Sequence, residues 1–425
     1  MIPVEWQEVE ALGLGELRGA PAEGVIRRVH DDSRDAQPGD LFVALNTGVR
    51  FVDDALSRGA ATLVPIDQEA ALAALARLVR GRSDAQVVAV VGSTGKTTTK
   101  DALAALCGAV TTTVAAAASR NNELGLPLTV LRLEPETRVL VTEMGMRGLG
   151  QIAELCEIAR PTLALVTSIG PEHLELVGTV EDVARANAEA IEALPPGGIA
   201  VVPSDEPLLD PFLERGDVDV RRFDRATVRR EGRSWSFLVD GSVVELDLPF
   251  TQRHLAENVL AALTAYDALG LPLGRAPEGA AAIRLSRWRG EVRELAGGGL
   301  VVNDAYNANP TSMRAALLDL TERAQGRRRV AILGEMAELG GESERYHQEI
   351  ASLLRELEIE SVVAVGGNAQ LYLTGAVDGR LVPDAGAFDE IAVALRPGDA
   401  ILVKGSRAVG LEGIPDEIEK HSRAW

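Results

Sequence analysis

Residues 87–99 read Val-Val-Ala-Val-Val-Gly-Ser-Thr-Gly-Lys-Thr-Thr-Thr. Four valines and an alanine suit a central parallel strand buried on both faces. Gly92 and Gly95 then allow a sharp turn that brings backbone N–H groups close to an anion. The helix that follows points its positive end at the same place. Lys96 is placed to reach β- and γ-phosphates, and the Thr97 hydroxyl to ligate a magnesium ion. The spacing G-x-x-G-K-T is shorter than the usual G-x-x-x-x-G-K-T phosphate loop. A glycine turn alone would be a mere connector between strand and helix. Strand, lysine and threonine together point to a nucleotide triphosphate.

The rest of the chain is long enough to surround such a loop with further domains. Its 425 residues predict two or three, and 46% hydrophobic content supplies their cores. No apolar run approaches the roughly 20 residues of a membrane span. The start, Met1-Ile2-Pro3-Val4-Glu5-Trp6, has neither a basic region nor an apolar signal segment. We therefore expect a cytoplasmic protein with no membrane insertion. A net charge of −20 argues against nucleic acid or anionic membranes as partners. An anionic substrate would need locally placed arginines, lysines and helix ends. Cys107 and Cys156 fall in apolar helical patterns and read as buried reduced thiols, and no Cys or His spacing resembles a zinc site.

Residues 1–84 read as a small α/β unit without a nucleotide loop, ending in an Ala/Leu-rich helix over 69–80 and the linker Gly81-Arg82-Ser83-Asp84. Residues 85–293 alternate strands (87–91, 138–142, 163–168, 199–202) with helices (97–107, 150–159, 180–194, 254–269). That alternation predicts a parallel sheet covered on both faces. Residues 294–425 repeat the style, with strands at 299–303, 329–333, 361–365 and 400–403 and helices near 312–324, 344–356 and 413–421. The fold class is therefore α/β in three domains, the last an open, Rossmann-like sheet.

Residues of unusual chemistry sit just past strand ends: Gly92, Glu143, His173, Asp304, Gly334 and Lys404. Open α/β sheets bind ligands at that edge. Glu143 follows Val139-Leu140-Val141-Thr142 and suits magnesium better than a cap on helix 150–159, which starts too far downstream. His173 follows a Gly-Pro turn past a strand end, where a histidine is placed for function rather than for the core. Asn258, one turn into an apolar helix opened by Arg253 and His254, can pair with a base edge or simply face solvent. Asp304-Ala305-Tyr306-Asn307-Ala308-Asn309-Pro310 gathers polar side chains at a strand end, as a ligand site would. Lys404-Gly405-Ser406-Arg407 makes a small anion nest.

In order, these pieces resemble the Mur ligase family of ATP-dependent amide-bond ligases, and the likeness spans nearly the whole chain. Asp32-Ser33-Arg34 is followed by PGDLFVAL and then by GSTGKTTTK. Next come SRNNELGLPLTVL (119–131), TEMGMRGLGQI (142–152), PEHLE (171–175) and RHLAEN (253–258). NDAYNANPTSM (303–313), LGEMAELGGESERYH (333–347) and VKGSR (403–407) complete the set. The resemblance implies a UDP-sugar-binding first domain, an ATPase core, and a last domain that brings the incoming amine. ATP would be held by Gly92, Ser93, Thr94, Gly95, Lys96, Thr97 and Thr98, with Asn258, Arg289, Asp304 and Asn307 from later segments. Magnesium would sit on Thr97, Glu143 and His173, and Lys96, Glu143 and His173 would carry the catalysis. Substrate contacts would fall at Ser33, Arg34, Asn121, Asn122, Lys404, Ser406 and Arg407.

The pattern at 338–347 favours the branch whose partners are UDP-MurNAc-tripeptide and D-alanyl-D-alanine. The D-N-P-R segment of the branch that adds the third, diamino acid residue is missing. A non-catalytic ATP-binding partner of cell-wall assembly is a further alternative, opposed by the intact Lys96, Thr97, Glu143 and His173. We expect a monomer. Two departures stand out. Most relatives carry a carbamylated lysine after the histidine, but here Ala184-Arg185-Ala186-Asn187-Ala188-Glu189 puts Asn187 in its place. Either Asn187 or Glu189 serves the second metal, or that site is weakened. The F-D-G-H segment of the first domain is also skipped at Val49-Arg50-Phe51-Val52-Asp53-Asp54.

Overall fold

The structure is a computed structural model, and it describes residues 1–21, 24–117, 119–376 and 378–425. Its chain forms two compact units. One comprises Met1–Thr167, Arg185–Pro249 and Asn258–Ile283; the other comprises Ser168–Ala184, Phe250–Glu257 and Arg284–Trp425.

The first unit is built on a six-stranded, all-parallel sheet. Its order is Asp219–Phe223, Ile199–Pro203, Leu163–Val166, Gln86–Val91, Val139–Glu143 and Thr113–Ala115. The valine-rich strand Gln86–Val91 takes a central place because residues 87–91 are buried on both faces, as the sequence predicts. The chain first fills one side of this strand, laying Thr113–Ala115 at the edge before Val139–Glu143 fits between, and later builds outward on the other side. The carboxyl end of Gln86–Val91 is therefore a topological switch point, where such sheets hold ligands. Register places Val90 beside Glu143, so both strands reach that edge together. The N-terminal residues of this unit add a four-stranded mixed sheet in the order Gly15–Arg18, Ala61–Pro65, Leu41–Val43, Val29–His30.

The same unit carries an antiparallel sheet, Arg229–Glu231, Ser234–Val239 and Ser242–Asp247, absent from the sequence reading. Its signal was present. Trp235, Phe237 and Val239 alternate inward, and Asp240-Gly241, both with positive φ, makes the hairpin turn.

The second unit contains the sheet Glu291–Glu294, Leu300–Asn303, Ala400–Lys404, Arg329–Gly334, Ser361–Val365, Gly379–Val382. All pairs are parallel except the first. Val301, Val330, Ile332, Val363, Ile401 and Val403 form the centre of its core. The helix Pro310–Ala324 begins two residues earlier than the sequence suggests. Asn309 caps it by accepting from Ser312 N at 2.9 Å, with proline at the first helical position.

Candidate nucleotide and substrate site

In the first unit the phosphate loop follows directly from its glycines. Gly92 has φ +124° and Gly95 φ +82°, and Gly95 precedes the helix Lys96–Gly108. A Cβ on Gly95 would fall 2.2 Å from Asn258 Oδ1, so no other residue fits there without displacement. Asn258 thus packs on the loop rather than facing solvent. The loop is braced from below: the Thr167 hydroxyl donates to Thr94 O at 2.6 Å. Ser93, Thr97 and Thr98 are buried in it. Lys96 Nζ bonds the carbonyl of Gly92, and Thr97 Oγ1 lies 3.3 Å from Ser119 Oγ.

Glu143 ends its strand 1% exposed. Its Oε1 accepts from Asn121 Nδ2 at 2.9 Å, while Oε2 is buried with no hydrogen-bond partner among the described residues. A buried carboxylate oxygen left unpaired costs stability unless something positive completes it. An oxygen-only donor set of carboxylate and hydroxyl suits a hard divalent cation. No three His, Cys, Asp or Glu side chains cluster as a ready-made metal site among the described residues. A magnesium ion has no need of one, because it keeps waters and phosphate oxygens as ligands.

Asn187 and Glu189, the residues expected near the second metal, both bond backbone amides. Asn187, 1% exposed, accepts the Gly92 amide hydrogen on Oδ1 at 2.6 Å. Glu189 accepts from Gly150 N at 2.6 Å and Ala153 N at 3.0 Å, at the start of the helix Gln151–Ala159. Both side chains are committed to backbone amides. Asn122 Oδ1 likewise accepts from Gly125 N at 2.9 Å and ties off its own loop. Near the N-terminus, Ser33 is buried. Arg34 is largely exposed and donates from Nε to Asp32 at 2.9 Å, and this guanidinium holds the Asp32 carboxyl well below the usual carboxylate range.

In the second unit, His173 Nδ1 is hydrogen-bonded to Glu338 Oε2. In the sequence Glu338 is legible only as part of the segment 333–347. Glu172 Oε2 lies 3.9 Å from His173 Nε2. Lys404, 2% exposed, spends its ammonium on Asp304 Oδ2 at 2.6 Å and Asn307 O at 2.9 Å. It fixes the polar turn after Leu300–Asn303 from within. Ser406 is also buried; its hydroxyl accepts from Ala337 N at 2.8 Å. Arg289 stacks over Tyr306 at 3.9 Å and Arg407 over Trp288 at 4.4 Å. Arg407 also pairs with Glu412 at 3.1 Å. Trp288, at φ +63°, receives Tyr306 N on its carbonyl at 3.2 Å. Two arginines and two aromatic rings are thereby set in one loop pair.

This fold and these loops define a nucleotide-binding α/β protein of the phosphate-loop type. The Mur ligase middle domain matches residues 90–266, and the Mur ligase, glutamate ligase domain matches residues 288–407. The chain is 33% identical to the UDP-N-acetylmuramoyl-tripeptide–D-alanyl-D-alanine ligase of Escherichia coli (strain K12), covering 99% of each chain. It is 35% identical to the ligase of the same name from Mycobacterium bovis, covering 85% of this chain and 77% of that one. Among solved structures it is similar to MurF from Acinetobacter baumannii, with a TM-score of 0.86, 27% identity, and coverage of 98% and 99%. MurF from Thermotoga maritima in complex with ADP gives 0.80 at 28% identity, covering 94% and 98%. The chain belongs to the Mur ligase family.

Proposed function

We propose that this protein joins D-alanyl-D-alanine to UDP-MurNAc-tripeptide with consumption of ATP. The observation that carries the reading is a likeness to ligases of that specificity that runs from the first domain to the last. In the reaction, an oxygen of the tripeptide's terminal carboxylate attacks the γ-phosphorus. The bond to the β-phosphate oxygen breaks, and ADP leaves an acyl phosphate behind. The dipeptide amine then attacks the acyl carbon, inorganic phosphate departs with the former P–O–C oxygen, and the amine loses a proton.

The chain's own groups serve both steps through charge. Lys96 turns from the Gly92 carbonyl to the β- and γ-phosphates, and the amides of 92–98 line the same anion. Thr97 Oγ1 and Glu143 Oε2 would hold one magnesium ion, and His173 would serve a second. Bound magnesium neutralises the charge gathering on the transferred phosphoryl group. Asn258 would meet the adenosine beside Gly95, and the family resemblance gives Arg289, Asp304 and Asn307 as further ATP contacts. Asn121, through Glu143, holds the carboxylate in place. Ser33 and Arg34 belong to the nucleotide-sugar end, with Asn121, Asn122, Lys404, Ser406 and Arg407 nearer the peptide. Lys404 and Ser406 act there by fixing loops, and Arg407 by its exposed guanidinium. The reading includes the cytoplasmic location and monomeric state expected from the sequence.

The test is ADP release with UDP-MurNAc-tripeptide and, separately, with UDP-MurNAc-dipeptide, each run with D-alanyl-D-alanine, with free amino acids, and with neither. Turnover that requires the dipeptide supports the reading. Turnover with a free diamino acid on a UDP-MurNAc-dipeptide, and none with D-alanyl-D-alanine, would replace it with the third-residue ligase.

A further inference from the structure

The loop Gly334–Glu338 of the second unit is held at every residue. Gly334 O accepts from the Tyr372 hydroxyl at 3.2 Å, and Glu335 O from Ser406 N at 3.0 Å. Met336 N donates to His347 Nε2 at 3.1 Å, and Ala337 N to Ser406 Oγ at 2.8 Å. Glu338 O accepts from Glu175 N at 3.1 Å. Four side chains or segments distant in sequence converge on five residues. Such effort is spent where an end group must be aimed.

That end group is the Glu338 carboxylate on His173 Nδ1. Both partners carry backbone strain: His173 has φ +51° and Glu338 φ +61°, in a region that non-glycine residues seldom occupy. Leu339 is buried behind them, and Gly340 lies so close to Glu175 that a Cβ would sit 3.0 Å from its Cα. The Glu-Leu-Gly motif is thus one device: carboxylate, anchor, and close approach. A partly exposed side-chain hydrogen bond by itself contributes little to stability, so stability does not account for strain at both ends.

We propose that Glu338 is a positioning residue for His173. An ionised carboxylate only accepts, so His173 donates from Nδ1 and the ring is fixed in that tautomer with its lone pair on Nε2. A metal-ligating histidine is commonly oriented by such a carboxylate. The inference rests on the reading of His173 as a magnesium ligand and adds the residue that prepares it.

Glu338→Gly separates this role from a structural one, because glycine relaxes the strained backbone while deleting the carboxylate. Its thermal midpoint is expected to hold or rise. In metal-free protein labelled with 15N at histidine, His173 (assigned with His173→Ala) should pass from the Nδ1–H tautomer to a mixture. The magnesium concentration giving half-maximal ADP release should rise about tenfold or more. Glu338→Asn, also at ease in this backbone conformation but too short to reach, should behave alike. An unchanged His173 tautomer and unchanged magnesium dependence in both variants would overturn the proposal. If His173→Ala shifts the magnesium dependence and Glu338→Gly does not, the positioning role alone falls. If His173→Ala leaves it unmoved, the metal reading beneath the proposal falls.

Discussion

Asn187 Oδ1 accepts the amide hydrogen of Gly92 at 2.6 Å, tying the helix Val180–Glu192 to the first glycine of the phosphate loop. At the position where the family resemblance implies a carbamylated lysine, this chain has a neutral acceptor bonded to the backbone. Bicarbonate should therefore leave the rate unchanged, and no carbamate should appear by carbon-13 NMR. Asn187→Ala would strand a buried N–H at a cost of about 1–3 kcal/mol. We expect a lower thermal midpoint and a raised KM for ATP, measured with ADP release. Bicarbonate stimulation of the native protein would contradict this account.

The helix Gln151–Ala159 is gripped at both ends by groups that complement its dipole. Glu189 takes the N-terminal amides, and Arg80 donates to Ala159 O at 2.7 Å and Arg160 O at 3.1 Å. Arg80 comes from the helix Gln68–Arg80 of the N-terminal residues, so it also fastens that region to the central sheet. Glu189→Ala should cost about 1 kcal/mol, as loss of a helix cap does. Arg80→Ala should cost more, because the buried Ala159 carbonyl and the part-buried Arg160 carbonyl lose a charged donor. Urea denaturation checks both. Equal and negligible losses would show that the contacts are incidental.

The stability of the second unit should fall in mild acid, in part through His347. Its Nε2 accepts from Met336 N while Nδ1 donates to Ser343 O at 2.7 Å, an arrangement open only to the neutral ring. Burial lowers its pKa from the ordinary 6.5, with Ser343 and Glu335 opposing. The ring stacks on Tyr372 at 5.1 Å. A histidine depressed in the folded state is protonated first in the unfolded chain. Its contribution is whole above about pH 6.5 and is lost as the pH falls below that. His254 is lowered in the same direction by burial, against Asp304 and Asp319. His347→Gln should flatten the decline in thermal midpoint between about pH 7 and pH 5 without abolishing it. An unaltered slope would remove His347 from the account.

The strands and helices around the phosphate loop were legible because their signals are local. Five apolar residues before Gly92, and Gly95-Lys96-Thr97 after it, need no distant partner to be understood. Glu143 was legible from its place at a strand end. What the sequence left open was every relation between remote residues. Nothing in Asn187 says that its acceptor faces Gly92, 95 positions earlier. Nothing in Glu338 says that His173, 165 positions away, will be its partner. Lys404 and Ser406 look like anion-binding groups in sequence, yet burial turns both toward the loops they fix. The hairpin around Asp240-Gly241 is the contrary case, a local signal left unread.

Glu143 offers the sharpest separation of stability from activity. Its Oε2 is buried without a hydrogen-bond partner among the described residues, a destabilising state tolerated where a cation completes it. Glu143→Gln keeps the shape and the Oε1 contact with Asn121 while removing the charge. The metal-free variant should melt no lower than the native protein, and higher if the amide finds a partner. Its turnover should fall about a hundredfold or more, as when a preorganised charge at a transferred phosphoryl group is lost. Magnesium should also cease to raise its thermal midpoint, whereas the native protein should gain stability with magnesium and ATP by mass action. Differential scanning fluorimetry with and without magnesium reads both effects. A Glu143→Gln protein that is less stable when metal-free yet still responds to magnesium would show that Glu143 serves the fold and that the cation binds elsewhere.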